Sequence, residues 1–299
     1  MSKKIIFALS IISMFLLFCA VYSADSNLDS ILNNVESKYV QKTFNDSQTN
    51  REIPYNIYLP DNYNPSKKYP LVVFIADSSL TGREAVDSLK QGYGGVIWAN
   101  DTQNECIVLV PTYGEVIIDD RDGYIKTDYL NATKNLIDNV SSTYSVDTNK
   151  IYGTGQSMGG MTMLYLASTY PDLFAAELFV SCQWDIKELD KLDSQKFIYI
   201  VSNGDDKAST GQKEVIEMLN SKNVKYGILE DLDAQSKDNN DKVNEMLNQN
   251  NNINFISFKS GTVTNGSSDN PMGSSEHMSS FDYAYKLDSV RNWLFKQHK

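Results

Sequence analysis

Apolar positions along this chain fall into short runs separated by polar, Gly- and Pro-bearing segments. Leu71 to Ile75, Ile107 to Val110 and Phe197 to Val201 are unbroken apolar stretches, the pattern of strands buried on both faces, and Ile253 to Phe258 reads as the last strand. Arg51 to Leu59 and Glu177 to Ser181 add two more candidates, and a β-friendly piece begins at Ile151. Between them the period changes. Asp128 to Tyr144 carries Leu130, Leu136, Ile137 and Val140 at helical spacing, and Met161 to Tyr170 and Gln212 to Leu219 read the same way. Near the C-terminus Phe281, Tyr285, Val290, Trp293 and Leu294 fall close to helical spacing too. Strands alternating with helices predict parallel β-α units, hence an α/β domain over residues 51–299. Residues 24–50 are mostly polar with one β-like piece around Tyr39 to Phe44, which reads as an N-terminal extension carrying a first edge strand. Asp231 to Asn252, rich in Asp, Asn, Gln and Lys, reads as a solvated helix and loop.

Residues 1–23 follow a different logic. Lys3 and Lys4 give a positive start, Ile5 through Ala20 is almost continuously apolar, and Ser23 is a small residue before Ala24. This is the layout of an export signal, so the mature protein is expected to be secreted or periplasmic. The apolar run is short for a span and no stop-transfer pattern follows, so no stable membrane insertion is expected after its removal. Cys19, three residues after Leu16, offers lipid anchoring as the alternative, against which bulky Phe18 argues.

Net charge is −11, or −13 once Lys3 and Lys4 are gone, which speaks against nucleic acid or an anionic membrane as a main partner. Beyond the leader only Cys106 and Cys182 remain, both in apolar runs, and two buried thiols are expected. With two histidines, no HExxH, no Cys cluster and no nucleotide-type glycine pattern, neither a metal site nor a cofactor is expected.

The chemistry concentrates in Gly155-Gln156-Ser157-Met158-Gly159. A strand leads into it and a helical pattern leaves it, the context in which G-x-S-x-G forms a nucleophile elbow. The two glycines let strand and helix close around a serine exposed at a helix N-terminus. A serine needs a base, and only His277 and His298 are available. His298 is penultimate, so His277, in a loop before the last helical segment, is the candidate. For an acid, the run Phe197 to Val201 ends in Ser202-Asn203-Gly204-Asp205-Asp206, which puts a carboxylate at the C-terminal end of a strand. Asp205 is favoured, Asp206 is the alternative, and Asp185 is a weaker third. The oxyanion of acyl transfer calls for the N–H of Met158 and a second donor from the loop after Ile75, either Ser78 or Asp77.

The segments IPYNIYLPDNYNPSKKYPLVVFIAD, VDTNKIYGTGQSMGGMTMLYLASTYPDLFAA, FIYIVSNGDDKAS and SEHMSSFDYAYKLDSVRNWLF together resemble the α/β-hydrolase superfamily. Within it they look like secreted esterases of the feruloyl-esterase and polyhydroxybutyrate-depolymerase kind, with prolyl-oligopeptidase-type domains as cousins. The resemblance implies a mostly parallel sheet flanked by helices. It implies hydrolysis of a small-molecule or polymer-linked ester by Ser157, His277 and Asp205 or Asp206. It also implies Trp184 and Gln156 as substrate contacts. Trp98, Tyr93 and Tyr113 are further aromatics in presumed loops, expected to pack rather than to bind. Two other readings use the same fold: a serine peptidase, and a binding protein without catalysis. The chain carries no signal for a particular ester or oligomeric state.

Overall fold

A computed structural model describes residues 26–264 and 275–299. Residues 1–23, expected to be an export signal, and Cys19 within them lie outside this range, as does the segment 265–274. Its centre is a nine-stranded sheet in the order β1-β2-β4-β3-β7-β8-β9-β11-β10. The strands are β1 (Val40–Asp46), β2 (Arg51–Tyr58), β3 (Tyr69–Ile75), β4 (Ile107–Pro111), β7 (Val146–Gln156), β8 (Ala176–Val180), β9 (Phe197–Ser202), β10 (Gly227–Leu232) and β11 (Ile253–Phe258). A two-stranded hairpin, β5 (Ile118–Asp119) and β6 (Ile125–Lys126), stands apart from the sheet. In the nine-stranded sheet β1 runs antiparallel to β2 and β2 antiparallel to β4, and the other pairings are parallel.

The apolar runs are central strands because both of their faces are covered. In β3, Leu71, Val73 and Ile75 enter one core, while Val72 and Phe74 enter the other. The first core is closed by α3 (Tyr129–Thr143), α4 (Met158–Thr169) and α5 (Asp206–Ser221), which follow α1 (Ser26–Val35) and the short α2 (Asp87–Lys90) in the chain. The second is closed by α1, α6 (Asn239–Leu247), α7 (Glu276–Lys286) and α8 (Asp288–Phe295). Cys182 lies in the first core and Cys106 in the second, both as free thiols.

This is the mostly parallel, helix-flanked sheet that the alternating pattern predicts, with four local differences. α1 forms where the polar composition suggested no helix; Ile31 and Val35 are its buried positions. β10 escapes the pattern because it is an edge strand with exposed Glu230 and Asp231 and a register shift between Leu229 and Leu232. The C-terminal amphipathic stretch is two helices divided at Leu287, whose extended backbone (φ −71°, ψ 98°) ends the first. His277 therefore sits in the first turn of α7 and not in a loop.

Candidate active site

Ser157 occupies the junction of β7 and α4 with φ 50° and ψ −119°. An L-residue enters that region at a cost of about 1–3 kcal/mol, so the surroundings must hold it there. The glycines are what allow it. A Cβ on Gly159 would stand 1.9 Å from the Ile75 carbonyl oxygen, and one on Gly155 would stand 2.4 Å from the carbonyl carbon of Gly159. Strand, turn and helix approach so closely that no side chain fits at either place.

Two residues distant in sequence meet the serine. His277 Nε2 lies 2.8 Å from Ser157 Oγ, and His277 Nδ1 lies 2.5 Å from Asp205 Oδ2. The tautomer that satisfies both contacts carries its proton on Nδ1, donates to the carboxylate, and accepts from the hydroxyl. The Asp205 side chain is nearly buried and that of His277 partly exposed, so the line of three runs from the interior to the surface of a cleft. Phe281, one turn along α7, packs edge-on against the imidazole at 5.2 Å between centroids.

Asp205 also caps α5, accepting from Ala208 N at 3.3 Å. Asp206 is the first residue of that helix, and among the described residues no hydrogen bond joins it to His277. Asp185 caps a short 3-10 turn by accepting from Lys187 N.

A cavity of about 400 Å³ opens beside Ser157. Met158 and Ser78 both line it; each opens a helical turn, so its N–H has no intrahelical acceptor. Asp77, whose backbone N–H is the alternative donor, uses its carboxylate to cap the 3-10 turn through Ser79 N at 2.8 Å and to accept from Gln156 Nε2 at 3.1 Å.

Neither of the two residues expected to contact substrate, Trp184 and Gln156, is among the residues that line the cavity. Trp184 is buried in the core, donates its Nε1–H to Glu188 at 2.9 Å, and does not line the cavity. Its neighbour Gln183 lines the cavity instead. Gln156 is buried and joins the elbow to the Asp77 loop and to Gln91 Oε1, both at 3.1 Å. Trp98, Tyr93 and Tyr113 are buried packing residues.

Several lining residues were not foreseen. Val116, Ile118, Asp119, Asp120 and Arg121 come from the β5–β6 hairpin, whose two-residue strands are too short to show a period. Lys207 donates to Asp120, and Arg121 pairs with Asp119. Val116, Ile118, Met158 and Met161 are the apolar side chains of the described lining; Gly204 apart, the others are polar or charged. Glu276 was also missed, because an acid beside a histidine has no distinguishing pattern. Burial pushes its carboxyl up, but hydrogen bonds from Ser202, Gly261, Ser260 and Gly204 outweigh that and hold it below the usual carboxylate range. Among the described residues no cluster of three or more His, Cys, Asp or Glu is placed to hold a metal ion.

Comparison with known proteins gives a family match over residues 47–288, to the family described as "Putative esterase". Acetylxylan esterase A of Emericella nidulans is 27% identical over 150 residues, covering 44% of this chain and 42% of that protein. A thermostable esterase of known structure superposes with a TM-score of 0.71 at 21% identity, over 89% of this chain and 64% of the other. A feruloyl esterase module from Clostridium thermocellum, in complex with sinapinate, gives 0.53 at 16% identity, over 86% of this chain and 87% of the other. The two structures share the fold. The match spans less than half the length of the acetylxylan esterase and under two thirds of the thermostable esterase.

Proposed function

This chain belongs to the esterase family whose model spans residues 47–288, and we propose that it is a secreted serine hydrolase of carboxylic esters. The observation that carries this reading is the continuous line from Asp205 Oδ2 through both imidazole nitrogens of His277 to Ser157 Oγ, at 2.5 and 2.8 Å. In the proposed mechanism Ser157 Oγ attacks the ester carbonyl while His277 Nε2 takes its proton. Negative charge that develops on the carbonyl oxygen is met by the N–H groups of Met158 and Ser78. The imidazolium, stabilised by Asp205, then protonates the departing alcohol and leaves an acyl-Ser157. Water, deprotonated by the same imidazole, releases the acid and restores the serine.

The cavity bears on the substrate. Most of the surface exposed in it is apolar, bordered by hydrogen-bonding groups of the described lining, which suits an acyl group on a hydroxyl-bearing alcohol. The name of the acetylxylan esterase relative points the same way.

Secretion rests on the leader pattern of residues 1–23. Among the described residues no helix is long and apolar enough to cross a membrane. N-terminal sequencing of the exported protein is expected to begin at Ala24; a lipid-modified start at Cys19 would replace that reading with the anchored one.

The test of function is turnover of p-nitrophenyl acetate and labelling by a fluorophosphonate, for the full chain and for Ser157→Ala. Wild-type turnover and labelling, both lost in a folded variant, are expected. Unchanged activity in Ser157→Ala overturns the assignment, and faster cleavage of a matched peptide than of the ester replaces esterase by peptidase.

A further inference from the structure

Glu276 precedes the imidazole in the chain, yet its side chain is committed elsewhere. Its Oε2 accepts from Ser202 Oγ and from Gly204 N at 3.1 Å. Its Oε1 accepts from Ser260 Oγ at 2.9 Å and from Gly261 N at 2.5 Å. Ser202 and Gly204 belong to the end of β9 and the turn that delivers Asp205; Ser260 and Gly261 follow β11. One carboxylate therefore ties the first turn of α7 to two strand ends at once.

We propose that Glu276 is a positioning residue that fixes His277 against Asp205 by clamping α7 onto the acid turn. This rests on the hydrolase reading above. Four neutral donors use both oxygens, so the group is spent on the scaffold and has no capacity left for a substrate, although it borders the cavity. Its neighbours on either side of the helix start act on different things. Ser275 caps the helix through Met278 N, and His277 faces Ser157. Besides the Asp205–His277 contact itself, the hydrogen bonds described between that turn and α7, which also packs on β9, are those of the Glu276 carboxylate.

Gly204 supplies an independent reason. A Cβ at that position would stand 2.1 Å from Glu276 Cδ and 2.3 Å from each carboxylate oxygen. The turn before Asp205 thus leaves room for this carboxylate and for no side chain of its own. Only an acceptor with two oxygens meets donors on both sides. Glutamine keeps the shape but brings an NH2 group against two of the donors, and aspartate keeps the charge but is one methylene short.

The experiment uses the full chain with Glu276→Gln, Glu276→Asp, Gly204→Ala and the double variant E276Q/G204A, with Ser157→Ala as the control on the underlying reading. On p-nitrophenyl acetate, kcat is expected to fall about 10- to 100-fold in Glu276→Gln, the scale of a displaced catalytic group, with KM within about twofold. Glu276→Asp should recover part of the loss. Gly204→Ala should lose a similar factor, and the double variant should lose no more than either single one, because both break the same contact. Unchanged kcat in Glu276→Gln, a loss confined to KM, or losses that multiply in the double variant would each overturn the proposal. A second readout needs no substrate: the downfield imidazole N–H proton resonance of His277, in a chain with only two histidines. It should move in Glu276→Gln and Gly204→Ala, and an unmoved resonance overturns the positioning role. If the wild-type chain hydrolyses no ester, or Ser157→Ala keeps full turnover, the hydrolase reading fails, and the resonance still decides what Glu276 does.

Discussion

Asp205 Oδ2 lies 2.5 Å from His277 Nδ1, while Asp206, one residue further, is the first residue of α5. Seventy-two positions separate the partners in sequence. Asp205→Asn is expected to lower kcat by about 10³- to 10⁴-fold, because an amide at this place favours the wrong imidazole tautomer. Asp206→Asn should change kcat less than tenfold. Steady-state kinetics of the two variants decide it, and a larger loss in Asp206→Asn would transfer the acid role.

The strained backbone of Ser157 predicts a trade of stability for function. Ser157→Gly and Ser157→Ala should both be inactive, but only glycine relaxes φ 50°. The glycine variant is expected to be more stable than the alanine variant by about 1 kcal/mol, read from paired thermal or urea unfolding curves. Equal stability of the two would mean that the elbow stores no strain.

Glu177 gives a pH dependence unrelated to the reaction. It lies inside β8, fully buried, with no hydrogen-bond partner for either carboxylate oxygen among the described residues. Burial pushes its carboxyl from 4.5 up to about 8. The folded state therefore holds a proton that the unfolded chain releases between these values. Stability from this group is complete below about pH 4.5 and declines by up to about 1.4 kcal/mol per pH unit as pH rises toward 8. Glu177→Gln should remove this slope from urea unfolding measured across that range; an identical slope in the variant would show that Glu177 ionises freely.

Cys106 and Cys182 are buried on opposite faces of the sheet, and burial raises both thiols far above their ordinary range. Neither should react with a thiol reagent in the native protein, and both should react after denaturation. A count of labelled thiols by mass checks this, and rapid native labelling would indicate local opening of the core.

Much of the scaffold was legible because it depends on short-range pattern. The buried strands at Leu71 to Ile75 and Phe197 to Val201 are apolar throughout, since each is covered on both faces. The edge strand β10 was not legible, because water on one side frees its residues from that constraint. The β5–β6 hairpin is shorter than any period, although it builds a wall of the cavity.

The site divides along the same line. Sequence by itself determined the elbow, whose two glycines are required by local geometry, and it narrowed the base to His277 because the chain has so few imidazoles. Tertiary structure decided that Asp205 faces that ring, that Gln183 and not Trp184 borders the cavity, and that Glu276 joins α7 to the acid turn. Each of these depends on which side of a turn a residue emerges and on how far a helix advances over the sheet. Neighbouring residues with the same chemistry part company there, and only packing between distant segments tells them apart.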